Sequence, residues 1–262
     1  MSQPLWIPSE DTIRNANMTR FMERVNQQTG KSFADYADLY QWSIENIEQF
    51  WQLIWDESGV LHSQSFDTVL EERTMPGARW FTGARLNFAR NLLRYQDEHT
   101  AILAYGEARE PLRLSYNDLF TQVAACAAGL KKLGVGKGDR VAGMLPNAPE
   151  AIIAMLAATS LGAIWSSCSP DFGTQGVYDR FGQIEPRILI TVSRYRYHGK
   201  IFDCKDKVRE LLERIPQIEK TVIIDYLSTG VELRPDREMN WSELLKSESD
   251  DIEFVDLGAK LE

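Results

Sequence analysis

One segment of the chain combines side chains that could bind a ligand or act as a nucleophile. Residues 166–173 read Ser-Ser-Cys-Ser-Pro-Asp-Phe-Gly and follow a short apolar run. Small hydroxyl residues let a ligand approach the backbone closely, with Pro170 fixing the turn and Asp171 capping the next helix. A nucleophilic Cys168 would need a nearby base or helix N-terminus to lower its pKa, and no histidine lies near it in the sequence. The pattern therefore favours a ligand-contacting loop, or a turn without a ligand, over a catalytic cysteine.

A second segment is rich in basic residues, although the chain as a whole is acidic. Residues 193–200 read Ser-Arg-Tyr-Arg-Tyr-His-Gly-Lys. Arginine can grip a phosphate group through its fork of N–H donors and lysine offers a point charge, so this segment is a candidate phosphate or nucleotide contact. A solvated surface loop is the alternative interpretation. Nucleic-acid binding, which alternating basic and aromatic residues can also indicate, is disfavoured by the net charge of the whole chain.

A glycine-rich run at residues 134–138, Gly-Val-Gly-Lys-Gly, invites comparison with a phosphate-binding loop. A Walker loop requires the pattern G-x-x-x-x-G-K-[ST] between a strand and a helix. Here a glycine follows Lys137, and the predicted elements come in the opposite order, helix before strand. The run is therefore interpreted as an ordinary turn between a helix and a strand.

The hydrophobic pattern from residue 100 onward predicts the fold that positions these segments. Four strands, separated by helices of about 10–15 residues, are predicted over residues 141–145, 163–167, 187–192 and 221–226. This alternation predicts an α/β fold, a mainly parallel sheet with helices on both faces. Because ligands of such folds bind beyond the carboxyl ends of the strands, residues 146–149, 166–173 and 193–200 are expected to form the site.

Capping signals define the helices of this region. Two short strands around a turn are predicted first, and Ser115 with Asp118 predicts a capping box at the start of the helix that follows. Gly134 is expected to end that helix, because a glycine accepts the left-handed conformation. Asn147 is expected to cap the next helix, over residues 149–161.

The first hundred residues have a different character, since they contain five of the seven tryptophans. Helices are predicted over residues 12–28, 44–58 and 84–95. Ser43 is the expected N-cap of the second helix. The aromatic residues are interpreted as packing rather than as a ligand site. We therefore expect a helical N-terminal cap over residues 1–99 and an α/β region over residues 100–257.

The composition of the chain argues against several classes of protein. A net charge of −9 and a pI near 5 argue against a nucleic-acid binder and against an anionic membrane surface as partner. The longest apolar run, residues 151–165, falls short of the roughly 20 residues that cross a bilayer. The N-terminus shows no secretory signal, the three cysteines form no CxxC pair and the three histidines are far apart. A cytoplasmic protein with reduced thiols and no metal cluster is expected.

Several of these segments together resemble the acyl-CoA synthetases of the adenylate-forming superfamily. The aromatic pair and Leu-Asn-Phe-Ala-Arg-Asn-Leu-Leu within residues 80–93 are similar to the family's N-terminal cap signature. Residues 114–119, Leu-Ser-Tyr-Asn-Asp-Leu, are similar to the start of its AMP-binding domain, and residues 133–141 with Met-Leu-Pro-Asn at 144–147 carry a further family pattern. Within the family, residues 163–173 are most similar to the branch that activates acetoacetate.

The resemblance implies a two-step reaction with ATP, CoA and Mg²⁺ as cofactors and acetoacetate, or a similar short acid, as substrate. The carboxylate and ATP form an acyl-adenylate, which the CoA thiol then converts to a thioester. The family's phosphate loop, adenine motif and catalytic lysine do not occur in these 262 residues. The chain is therefore expected to be an inactive N-terminal fragment, with the cap over residues 1–99, the first part of the AMP-binding large domain over residues 100–257, and residues 258–262 a remnant of cloning.

The resemblance also implies a site on one wall of the CoA pocket. The expected contacts are Trp165, Ser166, Ser167, Arg196, Tyr197 and Lys200. The first three match a loop that approaches the CoA adenine and ribose, and residues 197–200 match a basic loop that holds the 3′-phosphate. Tyr197 and Lys200 stand where the family has two arginines, which leaves the grip weaker or rearranged, with Arg194 or Arg196 as substitutes.

Other interpretations stay open. The chain could be part of another ligase of the superfamily, for short-chain or aromatic acids, or a self-contained module that binds CoA or a nucleotide without chemistry. Because half of the large domain is expected to be missing, apolar surface would be exposed, and self-association through that surface is expected.

Overall fold

A computed structural model of the chain describes residues 5–107, 109–247, 249 and 251–258. Its contacts divide the chain into two compact units, one ending at Ala84 and the other running from Arg85 to Gly258. The change of composition near residue 100 therefore lies inside the second unit. Most of the expected cloning remnant, residues 259–262, lies outside the described residues. Among the described residues, no helix is both long and apolar enough to cross a membrane.

The first unit is mainly helical. Its elements are α1 (Glu10–Arg14), α2 (Asn17–Thr29), α3 (Tyr36–Glu45), α4 (Ile47–Ser58), β1 (Thr68–Leu70) and β2 (Trp80–Thr82). Gly30 and Gly59 end α2 and α4 in the left-handed conformation that glycine adopts without strain. The buried core consists of Phe21, Val25, Leu39, Trp42 and Leu53. The two strands pair antiparallel.

Both helices that were expected within this unit differ from the prediction. The helix expected over residues 12–28 is interrupted between α1 and α2, where Ala16 has an extended backbone. Ser43 is not an N-cap, because it lies inside α3 and its hydroxyl donates to the carbonyl of Tyr40. The helix α4 begins after Asn46, whose backbone leaves the helical region at φ −126° and ψ 53°.

The second unit is the α/β region. Its elements are β3 (Arg85–Leu86), α5 (Phe88–Leu92), β4 (Thr100–Gly106), β5 (Arg109–Ser115), α6 (Tyr116–Lys132), β6 (Arg140–Met144), α7 (Pro149–Ser160), β7 (Ile164–Cys168), α8 (Thr174–Ile184), β8 (Ile188–Val192), β9 (Arg194–Tyr197), β10 (Lys200–Asp203), α9 (Lys205–Arg214), β11 (Lys220–Ile224), β12 (Glu238–Asn240), α10 (Trp241–Leu244) and β13 (Leu257–Gly258). The helix expected over residues 84–95 shortens to α5, because β3 occupies its first turn.

A five-stranded parallel sheet forms the centre of this unit, in the order β12-β11-β8-β6-β7. The predicted α/β fold is therefore confirmed, and β12 adds a fifth strand to the four that were expected. All five residues of β8 are buried. An apolar side chain buried in this way stabilises the fold by about 1.5–3 kcal/mol, which explains why the central strands read as continuous apolar runs.

The chain reverses direction beside β6. It leaves β6 through α7 to reach β7 on one side, then crosses back through α8 to β8 on the other side. Right-handed crossovers in opposite directions place α7 and α8 on opposite faces of the sheet. The helix α6 packs on α7, and α9 packs on α8, so both faces are covered. The loops after β6, β7 and β8 consequently meet at one edge, where such sheets bind ligands.

The capping predictions were partly right. The capping box of Ser115 and Asp118 is present, with the backbone N–H of Asp118 donating to Ser115 Oγ at 3.0 Å and that of Ser115 donating to Asp118 Oδ2 at 2.8 Å. Asn147 and Asp171 are not caps, contrary to expectation. Ala148 is the N-cap of α7, which starts at Pro149, a residue with φ already suited to a first helical turn.

Candidate functional site

The three residues expected at the adenine and ribose of CoA lie within β7 rather than in the loop after it. Trp165 and Ser166 are half-buried and Ser167 is exposed. Because side chains alternate along a strand, Trp165 and Ser167 face one side of the sheet and Ser166 faces the other. The indole of Trp165 lies over Gly143 of β6, where a Cβ atom would be 2.6 Å from its Cη2 and Cζ2 atoms. Gly143 therefore creates the space that Trp165 fills.

The loop after β7 is held by two neighbouring elements. The hydroxyl of Tyr195, on β9, donates to Asp171 Oδ1 at 2.7 Å. Lys207 Nζ, on α9, donates to the carbonyl oxygens of Pro170 and Phe172 at 2.5 and 2.6 Å. These contacts explain why Asp171 does not cap α8, since its carboxylate is directed towards Tyr195. They hold the loop beside β9.

Cys168 is half-buried at the end of β7. Burial raises the pKa of its thiol to about 11, and the nearby charges of Arg180 and Lys207 offset this only in part. A thiol with this pKa is protonated near neutral pH, whereas a nucleophilic cysteine must be ionised. A protonated thiol at this position gives no support to a catalytic role for Cys168.

The basic segment forms a β-hairpin of β9 and β10, although a loop was expected. The two turn residues, His198 and Gly199, have positive φ angles of 47° and 71°. Such a turn matches the twist of two antiparallel strands, and the pairing of Tyr197 with Lys200 places these two residues directly opposite each other. The hairpin therefore presents its side chains on two defined faces.

One face of this hairpin is directed towards the loop after β7. Tyr195, Tyr197, Lys200 and Phe202 share this face, because paired residues of antiparallel strands point to the same side. Tyr195 stacks on Phe202 with ring centroids 5.2 Å apart and hydrogen-bonds Asp171. The structure therefore brings Tyr197 and Lys200 to the side of the hairpin that meets the loop.

The other face carries Arg196. It shares this face with Arg194 and Asp203, which form an ion pair at 2.9 Å. Arg194 is therefore occupied, while Arg196 and Lys200 are exposed and form no ion pair within the part of the chain that the structure describes. Between the described residues 165–167 and the hairpin residues Arg196, Tyr197 and Lys200, no hydrogen bond or ring contact is present. The two groups are linked through Asp171 and Tyr195 instead.

The turn of the hairpin contacts Glu107, in the turn between β4 and β5. The backbone N–H groups of His198 and Gly199 donate to its two carboxylate oxygens, each at 2.9 Å. These hydrogen bonds, with smaller contributions from the charges of His198 and Arg196, lower the pKa of Glu107 below its ordinary value. The turn thus favours a bound negative charge.

A cavity of about 290 Å³ lies beyond the carboxyl ends of β8 and β11. Ser193 lines it, and the Oγ atom of this residue is buried without a hydrogen-bond partner among the described residues. The basic side chains around it are paired with carboxylates, among them Lys205 with Glu232 and Arg234 with Glu238. Such a neutralised lining suits a phosphate group less well than the cations of the hairpin do.

Some of these features could have been found in the sequence. The alternation of residues 194–203 around His-Gly is a hairpin signal, because a two-residue turn ending in glycine joins two short strands. The contacts of Glu107 and Lys207 with these loops leave no local signal, since each joins segments that are far apart in the chain.

Comparison with known proteins agrees with this architecture. The sequence pattern of the AMP-binding enzyme family matches residues 88–254, and that of the acetyl-coenzyme A synthetase N-terminus matches residues 36–92. The structure is similar to acetoacetyl-CoA synthetase from Streptomyces lividans, with a TM-score of 0.90 and 39% identity over 98% of this chain and 40% of that one.

Curated relatives extend the likeness. The chain is 40% identical over 235 residues to acetoacetyl-CoA synthetase of Danio rerio, covering 88% of this chain and 35% of that protein. It is 40% identical over 233 residues to acetoacetyl-coenzyme A synthetase of Rhizobium meliloti (strain 1021), covering 89% of this chain and 36% of that protein. It is also 39% identical over 219 residues to a malonamoyl-CoA synthetase of Penicillium aethiopicum, covering 80% of this chain and 30% of that protein.

The fold and the loops at its carboxyl edge thus define an α/β domain of the adenylate-forming class, and the resemblance seen in the sequence is confirmed. The chain belongs to the AMP-binding enzyme family. It spans about a third of the length of the curated relatives that it matches.

Proposed function

We propose that the chain is the N-terminal portion of an AMP-forming ligase that converts acetoacetate and CoA to acetoacetyl-CoA. The observation that carries this proposal is the likeness over nearly the whole chain to relatives named acetoacetyl-CoA synthetase. In the first step a carboxylate oxygen of the acid bonds to the α-phosphorus of ATP and pyrophosphate leaves. In the second step the CoA sulfur bonds to the acyl carbon and AMP leaves. ATP, CoA and Mg²⁺ are the cofactors that this chemistry requires.

We assign one wall of the CoA pocket to this chain. Trp165 and Ser167 share a face of the edge strand β7, and small polar residues beside an aromatic ring suit an adenine and its ribose. Lys200 and Tyr197 share the hairpin face directed towards the loop after β7, where Lys200 supplies a charge for the 3′-phosphate. Ser166 and Arg196 face away from these groups, so they contact the ligand less directly than the sequence suggested.

Exchange of pyrophosphate into ATP tests the proposal. We expect a protein that contains this chain and its continuation to catalyse the exchange with acetoacetate more rapidly than with acetate or butyrate. The 262-residue chain alone is expected to show none. Exchange by the chain alone would contradict the assignment of the adenylating groups to the continuation. Exchange with acetate or butyrate but not with acetoacetate would contradict the substrate.

A second candidate substrate follows from one observation. A relative named malonamoyl-CoA synthetase is 39% identical over 80% of this chain, so the likeness extends to a ligase named for a different short acid. Malonamate therefore belongs in the same exchange assay. An exchange rate with malonamate above that with acetoacetate would favour this alternative.

We further propose that the chain self-associates through β7. This strand is one of the two outermost strands of the sheet in the described residues, and its Ile164 is 50% exposed, a combination that promotes pairing with another edge. Light scattering well above micromolar concentration should show a dimer or larger species, and a monodisperse monomer would contradict this.

With a net charge of −9 and three free cysteines, we expect a cytoplasmic protein that binds neither nucleic acid nor membranes.

A further inference from the structure

The turn of the β9–β10 hairpin already binds an anion that belongs to this chain. Its two adjacent N–H groups, from His198 and Gly199, donate to both carboxylate oxygens of Glu107. Adjacent backbone N–H groups in a turn with positive φ form a small concave site that is suited to an anion. Glu107 is exposed, so no packing of its side chain forces it into this position. The contact therefore reports a preference of the turn for negative charge.

The same turn lies beside Lys200, the cation assigned to the phosphate of CoA. Lys200 follows Gly199 directly, and Arg196 is close enough for its charge to act on Glu107. A phosphate group held by Lys200 would therefore lie beside the N–H groups that Glu107 occupies. Two anions cannot share these two donors, because like charges at hydrogen-bonding distance repel each other strongly.

We propose that Glu107 is an internal competitor for the anion site of the β9–β10 turn, and that the phosphate of a bound nucleotide displaces it. This inference rests on the proposed role of the hairpin in binding CoA. A ligand without a phosphate at this position would meet the Glu107 carboxylate instead of free N–H donors. Only a ligand with a phosphate at this position has to displace Glu107, so Glu107 lowers the affinity for 3′-phosphorylated nucleotides and leaves the affinity for nucleotides without this phosphate unchanged.

Two matched substitutions test this proposal in the 262-residue chain. Glu107→Gln keeps an oxygen acceptor but removes the charge, while Glu110→Gln makes the same change at an exposed glutamate of the neighbouring strand. Adenosine 3′,5′-bisphosphate is titrated while the amide NMR signals of His198 and Gly199 are followed. We expect Glu107→Gln to bind it about three- to tenfold more tightly than the wild type. Glu110→Gln should bind it like the wild type. Equal or weaker binding of both this ligand and inorganic phosphate by Glu107→Gln would overturn the proposal.

Inorganic phosphate separates this proposal from the CoA assignment. One possible result is that phosphate shifts the His198 and Gly199 signals at a lower concentration in Glu107→Gln than in the wild type, whereas adenosine 3′,5′-bisphosphate binds no more tightly than AMP. Competition by Glu107 then stands and the role of the hairpin in CoA binding fails. If neither anion shifts these signals in any variant whose spectrum shows a folded chain, Glu107 is only a structural contact and the proposal is wrong.

Discussion

The hydroxyl of Tyr195 donates to Asp171 Oδ1 at 2.7 Å, and this bond joins the loop after β7 to the β9–β10 hairpin. Tyr195 is only 5% exposed, and burial together with the bond to Asp171 raises the pKa of its hydroxyl above the ordinary value. The hydroxyl therefore stays protonated and remains a donor throughout the physiological range. The relative position of the two candidate ligand loops depends on this contact.

Replacing Tyr195 by phenylalanine should loosen the link between the two loops. We expect Tyr195→Phe to lower the free energy of unfolding by about 1–2 kcal/mol, because it removes a hydrogen bond to a charged acceptor. Urea unfolding followed by circular dichroism measures this loss. Tyr105→Phe, at an exposed tyrosine, is the control and should change it by less than about 0.5 kcal/mol. Equal effects of the two substitutions would show that the bond to Asp171 contributes nothing.

Among the polar residues of the second unit, Asn87 is the one whose replacement should lower the stability of the chain most. It is 1% exposed, and its Nδ2 donates to the carbonyls of Thr159, Ser160 and Val255 at 2.8–3.0 Å while its Oδ1 caps α5. We expect Asn87→Ala to cost about 3 kcal/mol, because it leaves buried carbonyls without donors and removes the cap. Asn117→Ala, at an exposed asparagine, is the control. A loss below about 1 kcal/mol for Asn87→Ala would contradict this role.

Gly143 should control the position of Trp165. A Cβ atom at Gly143 would lie 2.6 Å from the indole ring, so Gly143→Ala must displace the ring. We expect a shift in tryptophan fluorescence and a loss of about 1–3 kcal/mol in stability, as for other overpacked sites. Gly136→Ala, where an added Cβ would meet nothing within 4 Å, is the control. An unchanged emission spectrum in Gly143→Ala would show that Trp165 does not lie over this residue.

Cys168 should react slowly with alkylating agents until the solution is strongly alkaline. Because burial raises its pKa to about 11, the thiol remains protonated as the pH rises and ionises only near that value. At pH 8 only about one thiol in a thousand is then ionised. Iodoacetamide labelling of the native chain at pH 7–11, read by mass spectrometry, measures the profile. A rate that levels off near pH 8.5 would indicate an ordinary thiol and contradict the effect of burial.

The sequence predicted the parallel sheet because buried strands and amphipathic helices leave strong periodic signals, as β6 and α6 do. It also predicted the capping box of Ser115 and Asp118, which is a local pattern. It did not predict that Asp171 would bond Tyr195 instead of capping α8, or that Glu107 would contact the hairpin turn. Those contacts join segments that are distant in the chain, so no spacing of residues reveals them.

The difference in affinity between CoA and 3′-dephospho-CoA tests most directly whether this chain forms a wall of the CoA pocket. Isothermal titration of the 262-residue chain with both ligands measures it. If Lys200 and the hairpin turn hold the 3′-phosphate, CoA should bind about tenfold more tightly, since a charge-assisted contact is worth roughly 1.5 kcal/mol or more. Lys200→Ala should reduce that difference. Equal affinities of the wild-type chain for the two ligands would contradict the account.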